Sequence, residues 1–313
     1  MARYECGVHS AGVEVDFVSD HDLLPYLTTP EASLDHLELR VSKKLLKSPF
    51  RVYYHDHHSR QLIYFEHEAH IFYPWNMMCN GQTVIFASYP FFEVQRQAQG
   101  YVTAHSAAVE VNGKSVLLLG KIGAGKSSIA IDLCQRYQGL LIGNDLTIVG
   151  LEDEGITLKG GTKFFFLRYE SMRRNLPELL RFFPDDPEDT WTCKVKILPA
   201  QLGTGIKQGN SLVDQIYLVH VDENAKSLVV RKDNSLVTKL FLNENFTRYI
   251  RATCLTMLGG EQLDMIGFIP CFDKLEFYHL RKQLIEAVLS KIYYIAGPLH
   301  LVTDYIVNDK NGL

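Results

Sequence analysis

Apolar and polar positions alternate along much of the first hundred residues, and that alternation predicts strands. Phe50-Arg51-Val52-Tyr53-Tyr54 and Gln61-Leu62-Ile63-Tyr64-Phe65 are rich in β-branched and aromatic residues, with a turn at His57-His58-Ser59-Arg60 between them. Thr83-Val84-Ile85-Phe86-Ala87 reads as a further strand or buried segment. Pro30-Glu31-Ala32 with Leu34, and Val41 with Leu45-Leu46, predict short connecting helices, Pro30 suiting a first helical position.

From about Tyr89 the pattern changes. Phe91-Phe92-Glu93-Val94 leads towards Tyr101-Val102-Thr103-Ala104-His105. Ala107 to Val111 then alternates, Asn112-Gly113 makes a tight turn, and Ser115-Val116-Leu117-Leu118-Leu119 follows. An Asn-Gly pair between two apolar runs is a strong hairpin signal, because both residues accept the left-handed backbone such a turn needs. Ser127 to Arg136 predicts a helix with Ile129, Ala130 and Leu133 on one face, ended by Gly139. Leu140-Leu141-Ile142 is a short buried strand that stops at Asn144-Asp145. Lys163 to Leu167, Gln215 to Val219 and Ser227 to Val230 are further strands. Phe277, Leu280, Leu284, Val288 and Ile292 recur at helical spacing and predict one amphipathic helix over Leu275 to Ile295. The change of pattern divides the chain into a β-rich domain at residues 1–90 and a second domain at residues 91–313.

Composition narrows this little. With 46% hydrophobic and 22% charged residues, the chain is an ordinary globular one. A net charge of −4 offers no global basic field to nucleic acid or anionic lipid. No apolar stretch approaches the roughly 20 residues needed to cross a bilayer, and the N-terminus lacks a signal peptide's apolar run. Cys6, Cys79, Cys134, Cys193, Cys254 and Cys271 are scattered without a C-x-x-C pair, which fits buried reduced thiols better than disulfides or structural zinc. The expectation is a soluble cytoplasmic protein with no nucleic-acid or membrane partner. Its oligomeric state stays open, a homo-oligomer included.

The candidate chemistry sits at Gly120-Lys121-Ile122-Gly123-Ala124-Gly125-Lys126-Ser127, which fits G-x-x-x-x-G-K-[ST]. The glycines let the backbone turn its N–H groups inward as a nest for phosphate oxygens. The helix that follows adds its N-terminal partial charge. Lys126 is suited to the β- and γ-phosphates of a nucleotide, and Ser127 to Mg²⁺. A random chain of this length shows the pattern about once in a hundred times. Here it also lies between an apolar strand and a helix, the context the motif requires. A glycine-rich turn without a ligand, or a loop that binds nucleotide without turnover, is the plainer alternative. Asp145, nineteen positions after Lys126, is the best acidic partner. That gap is filled by one helix and one strand, so the acid's strand is expected beside the loop strand. Asp132 is a weaker candidate, expected to be solvated on the helix.

Thr103-Ala104-His105-Ser106-Ala107, Val111-Asn112-Gly113, the loop, and Leu141-Ile142-Gly143-Asn144-Asp145 together resemble, in order and spacing, the catalytic core of HPr kinase/phosphorylase-like proteins. The resemblance is specific over residues 101–150. It is weaker over 210–245, where a strand pair and Leu236 to Leu242 are similar to the family's later sheet region. Residues 1–90 resemble only the variable front domain of relatives found beside peptide-modifying genes. The resemblance implies an α/β fold, with a phosphoenolpyruvate carboxykinase-like P-loop kinase core and a smaller β-rich N-terminal domain. It implies ATP and Mg²⁺, and transfer of the γ-phosphate to a hydroxyl of a peptide or protein serine or of a small molecule. It places His105 near the phosphates and Ser128 beside the loop, and makes Asp145 the second member of an acidic pair and, with Ser127, a metal ligand. The first member, usually the aspartate base, is Asn144 here, and an amide cannot take up the hydroxyl proton. Ser128 stands where the bifunctional enzymes often have glutamate. These departures argue against reverse phosphorolysis. They leave the base open among Asp145, His105 and an acid of the 168–190 region, Glu170 first. Arg168 beside it is a candidate phosphate clamp or a surface arginine, and Arg231 and Lys232 read the same way. A degraded, ATP-binding regulator is the competing reading, and nucleotidyl transfer a third.

Five of the twelve histidines, His55, His57, His58, His67 and His70, crowd one segment. A transition-metal site is the sharp reading. On paired strands, alternate residues point to opposite faces, so no more than two or three converge, and solvated or hairpin-facing histidines are expected instead. The aromatic runs around Tyr53, Tyr64 and Trp75 are expected to be core.

Overall fold

The alternating front segment forms a six-stranded sheet in the computed structural model, which describes residues 3–28, 39–77, 82–251, 255–258 and 264–309. Its order is Leu39–Ser42, Tyr4–Ser10, Val13–Ser19, Arg51–Asp56, Glu68–Tyr73 and Gln61–Tyr64. The strands expected at 50–54 and 61–65 are both present, but Glu68–Tyr73 lies between them, parallel to the first and antiparallel to the second. Val41 pairs with Val8 in an edge strand instead of starting a helix, and Leu45-Leu46 lie in irregular chain. The helix expected from Pro30 to Leu34 lies outside the described residues.

Helix Gln82–Ala98 covers one face of this sheet. Val84, Ile85, Phe91 and Phe92 pack with Val8, Phe17, Val52, Tyr54 and Ile71 in a buried core. The Thr83–Ala87 run and the Phe91–Val94 run are therefore parts of one helix. Their β-branched and aromatic residues favour a strand locally, and burial against the sheet overrides that preference. The boundary expected near residue 90 falls inside this helix. The chain instead divides into two compact units, one comprising residues 1–103 and 244–281 and the other 104–243 and 282–313.

The second unit holds a seven-stranded sheet. Its order is Gly205–Ile206, Leu140–Gly143, Ala107–Val111, Lys114–Leu119, Gln215–Val221, Ile292–Gly297 and Val229–Lys232. The Asn112-Gly113 hairpin forms as expected, with φ of +51° and +74° at the two turn residues. The loop strand Lys114–Leu119 is flanked by its antiparallel hairpin partner and by Gln215–Val221, which runs parallel to it. The strand leading to Asp145 pairs with Ala107–Val111 and so stands one place further out than expected. A second sheet orders Ser211–Leu212, Gly155–Gly161, Leu146–Glu152 and Tyr101–His105. Helix Lys126–Arg136 buries Ile129, Ala130 and Leu133 in the main core, together with Val302 and Ile306 of helix Leu299–Asn308. Asp132 is buried, not solvated. It accepts hydrogen bonds from Arg136 at 3.0 Å and Thr303 at 2.6 Å, which ties the two helices together.

The helix expected over Leu275 to Ile295 stops at Lys291, because Ile292–Gly297 pairs in parallel with Gln215–Val221. The i, i+4 apolar spacing continues into that strand by coincidence of sequence, and Leu280 on the expected buried face is exposed. Leu236–Thr247 is a helix, not a sheet region. Of the histidines, His55 and His70 meet, Nε2 to Nδ1 at 3.0 Å, in a stack with Tyr53 and Phe72. Among the described residues no group of three or more His, Cys, Asp or Glu is placed to hold a metal ion. Cys6 and Cys134 are buried, Cys193 is half-buried and Cys271 is exposed. Among the described residues no helix is long and apolar enough to cross a membrane.

Candidate functional site

The loop follows directly from the strand that precedes it. Lys114–Leu119 ends at Gly120, and helix Lys126–Arg136 begins after Gly125. Gly123 and Gly125 have φ of +78° and +92°, which L-residues with a Cβ reach only at a cost. A Cβ on Gly125 would lie 2.3 Å from Cγ2 of Val221, so glycine is required there on two grounds. The loop is braced from the neighbouring strand, whose Val221 N–H donates to the Ala124 carbonyl at 2.9 Å. Lys121, Ile122 and Gly123 form an exposed rim, with Ala124, Lys126 and Ser128 buried and Ser127 half-buried beneath it. The first-turn N–H groups of the helix lack intrahelical acceptors and point along its axis towards this loop. Lys126 Nζ donates to the carbonyls of Gly120 at 2.8 Å and Lys121 at 3.1 Å, which holds the ammonium at the loop it follows.

His105 and Asp145 come together although forty positions separate them in sequence. Tyr101–His105 pairs with Leu146–Glu152, and the Ser106 N–H donates to the Asp145 carbonyl at 3.1 Å. His105 Nε2 then stands 3.2 Å from Asp145 Oδ1, the imidazole mostly buried and the carboxylate half-exposed. Asp145 has φ of +67°. A non-glycine residue in that conformation stores roughly 1–3 kcal/mol of strain unless its surroundings fix it, and such outliers gather at functional sites.

Asn144 is 1% exposed. Its N–H donates to the Thr162 carbonyl at 2.9 Å, its carbonyl accepts from Leu146 at 2.8 Å, and its Nδ2 donates to the Phe164 carbonyl at 3.4 Å. Its Oδ1 has no hydrogen-bond partner among the described residues. A buried acceptor without a donor costs about 1–3 kcal/mol.

The acid expected at 168–190 is differently engaged. Glu170 is buried on helix Tyr169–Asn175 and accepts from Arg173 at 2.8 Å and Arg174 at 2.9 Å. The Arg173 hydrogen bond, with help from Arg174, holds its carboxyl below the usual carboxylate range, which makes it a poor proton acceptor. Arg168 donates to the Trp191 carbonyl. The same helix reaches the loop through Asn175, whose Nδ2 donates to Ser128 Oγ at 3.1 Å. Asn175 carries no signal in the sequence, because the contact exists only once the two helices pack. Arg231 stands over the Tyr294 ring at 5.0 Å on the edge strand Val229–Lys232.

No family model matches the chain. Among curated proteins it is similar to the HPr kinase/phosphorylase of Chlorobium chlorochromatii, 33% identical over 84 residues, which is 27% of this chain and 24% of that protein. It is likewise similar to the HPr kinase/phosphorylase of Chlorobium limicola, 44% identical over 54 residues, which is 17% of this chain and 16% of that protein. The chain thus spans a quarter or less of the length of these relatives. Among solved structures it is similar to the Hpr(Ser) kinase/phosphatase from Coxiella burnetii, with a TM-score of 0.25 and 14% identity, over 43% of this chain and 78% of that one. The curated relatives bear out the HPr kinase-like resemblance read from the residues.

Proposed function

We propose that this HPr kinase-like protein binds ATP at Gly120–Ser127 and transfers the γ-phosphoryl group to a hydroxyl of a polypeptide. The observation that supports the reading is the loop itself, where two left-handed glycines, a buried lysine and a helix N-terminus converge; His105 and Asp145 adjoin strands of the same sheet, Ala107 pairing with Leu118 and Gly143 with Ala108. Lys126 would exchange its carbonyl partners for phosphate oxygens. Ser127 and Asp145 would hold Mg²⁺, which when bound neutralises charge developing on the phosphates. In the transfer, the acceptor oxygen forms a bond to the γ-phosphorus, the bond from that phosphorus to the β-bridging oxygen breaks, and ADP leaves. The hydroxyl proton passes to His105, whose ring Asp145 orients at 3.2 Å. Glu170 is the weaker candidate for this role, because Arg173 and Arg174 hold its carboxyl. The likeness to HPr kinase/phosphorylase supports a core related to phosphoenolpyruvate carboxykinase.

A second reading has one specific observation in its favour. Asn144 occupies the place of the family's usual base, which fits a regulator that binds ATP without turnover. Incubation with ATP, Mg²⁺ and candidate acceptors separates the two. ADP release that rises with one acceptor supports the kinase. Tight ATP binding with no ADP under any acceptor supports the regulator, and pyrophosphate release would overturn both.

A further inference from the structure

Helix Lys126–Arg136 carries a buried hydroxyl in its first turn. Ser128 is 2% exposed, and as the third helical residue it has an N–H without an acceptor inside the helix. Every Cα–Cβ bond of an α-helix leans towards the N-terminus, so the Ser128 side chain starts out on the loop side of its own residue. Ser128 Oγ receives one hydrogen bond, from Asn175 Nδ2 at 3.1 Å. A hydroxyl can donate and accept, whereas an amide nitrogen only donates. The bond therefore uses a lone pair of Oγ and leaves the Ser128 proton to be given elsewhere. Among the described residues no acceptor takes that proton. Asn175 itself is set by the end of its helix. The Leu176 N–H closes the last turn on the Met172 carbonyl at 2.9 Å, and Pro177 stops the helix there. Met172 and Leu176 lie in the main core with Ile129, Ala130 and Leu133 of the loop helix. Apolar burial thus joins the two helices without help from the Asn175 bond.

We propose, on the reading of the loop as a nucleotide site, that Asn175 is a positioning residue for the nucleotide phosphates. By donating to Ser128 Oγ it commits the Ser128 proton to a phosphate oxygen. The three groups then form a chain from amide to hydroxyl to phosphate, in which each hydrogen bond polarises the next. Aspartate at position 175 would reverse the chain. It has the shape of asparagine but no hydrogen to give at neutral pH, so Ser128 would donate to it and the phosphate would lose that donor. The helix Tyr169–Asn175 thereby becomes part of the nucleotide site, although Asn175 lies 47 positions from Ser128. A plain tie between two helices is the competing role. It predicts the opposite order of variants, because aspartate keeps a hydrogen bond to Ser128 and alanine does not.

The test is calorimetric titration of the full chain with ATP and Mg²⁺, for Asn175→Ala, Asn175→Asp, Ser128→Ala and the two double variants. Urea unfolding without nucleotide is read on each, so that loss of fold is told apart from loss of binding. Asn175→Ala should weaken ATP by about fivefold to tenfold, the scale of one hydrogen bond. Asn175→Asp should weaken it further, while its stability without nucleotide equals or exceeds that of Asn175→Ala. In the Ser128→Ala background, Asn175→Ala should change ATP affinity by less than about twofold, because the hydroxyl it acts through is gone. Asn175→Asp in that background reads the effect of the added charge alone, and its loss should be smaller than in the presence of Ser128. Tighter ATP binding by Asn175→Asp than by Asn175→Ala overturns the positioning role, as do losses that are equal with and without Ser128. ATP binding that ignores position 175 overturns that role and leaves the nucleotide reading standing. No ATP binding by the unsubstituted chain overturns the nucleotide reading, and the positioning role with it.

Discussion

Gly125→Ala is the substitution whose cost the structure sets most closely. Two independent penalties act at that position. An alanine must adopt φ near +92°, which costs an L-residue about 1–2 kcal/mol. Its Cβ would also stand 2.3 Å from Cγ2 and 2.6 Å from Cβ of Val221. Relief of that overlap requires the loop or the strand end to move, and overpacking of this kind costs about 1–3 kcal/mol. The sum is about 2–5 kcal/mol, a large part of the 5–15 kcal/mol typical of a folded domain. Gly123→Ala separates the two terms, because Gly123 has φ of +78° but open space around a built Cβ. It should show only the backbone term, about 1–2 kcal/mol. Val221→Ala in the Gly125→Ala background should recover part of the loss, since Cγ2 is removed and Cβ remains. Urea unfolding of Gly123→Ala, and of the four chains of the cycle formed by Gly125→Ala, Val221→Ala, their double variant and the unsubstituted protein, reads these numbers directly. Equal losses at Gly123 and Gly125, or additivity of Gly125→Ala with Val221→Ala, would refute the close packing of loop against strand.

Three further outcomes follow from the site. Lys126→Ala should lower nucleotide affinity in calorimetric titration and reduce transfer by roughly a hundredfold or more, the scale for losing a positioned charge at a transferring phosphate; unchanged turnover would contradict the assignment. Asn144→Asp places a carboxyl where the amide is 1% exposed, so burial raises its folded pKa above the unfolded value of about 3.9. The folded state then holds the proton longer, and stability falls as pH rises through that folded value; unfolding at pH 8 should show a deficit of about 1–3 kcal/mol that shrinks towards pH 4, and a pH-independent deficit would count against the buried setting. Glu170 has the opposite sign. Its folded pKa is depressed by Arg173 and Arg174, so it contributes stability above the unfolded value of about 4.3, lost as pH falls through the folded one. Glu170→Gln should therefore destabilise the chain at pH 7 and not at pH 3, with turnover reduced less than about tenfold. A loss of turnover as deep as that of Lys126→Ala would show that Glu170 is the base.

The loop and its flanking elements were legible because each signal there is local. Asn112-Gly113 sets a turn, Ser115 to Leu119 a strand, and the glycines and Gly139 bound a helix, so short-range chemistry and final structure agree. The His105–Asp145 approach was legible only as a spacing carried by resemblance, since a sheet pairing between distant segments brings the two together. The misreadings share one cause. Thr83–Ala87 and Phe91–Val94 have strand-forming residues but belong to one helix that buries Val84, Ile85, Ala87, Phe91 and Phe92 against a sheet, and Ile292–Gly297 continues a helical spacing yet pairs with Gln215–Val221. In each case a long-range contact decided between two conformations that local pattern leaves nearly equal. The placement of Asp132 followed the same rule, because Thr303 lies far away in sequence.

Transfer of a phosphoryl group to a polypeptide hydroxyl leaves a product that one measurement reads directly. The protein is incubated with cell extract, Mg²⁺ and ATP bearing heavy oxygen in its γ-phosphoryl group, and the polypeptides are then sequenced by tandem mass spectrometry. A heavy phosphoryl group on a serine or other hydroxyl residue, dependent on Lys126, is the expected product. Nucleotide binding with no labelled polypeptide, or label recovered as a nucleotidyl adduct with release of pyrophosphate, would contradict it.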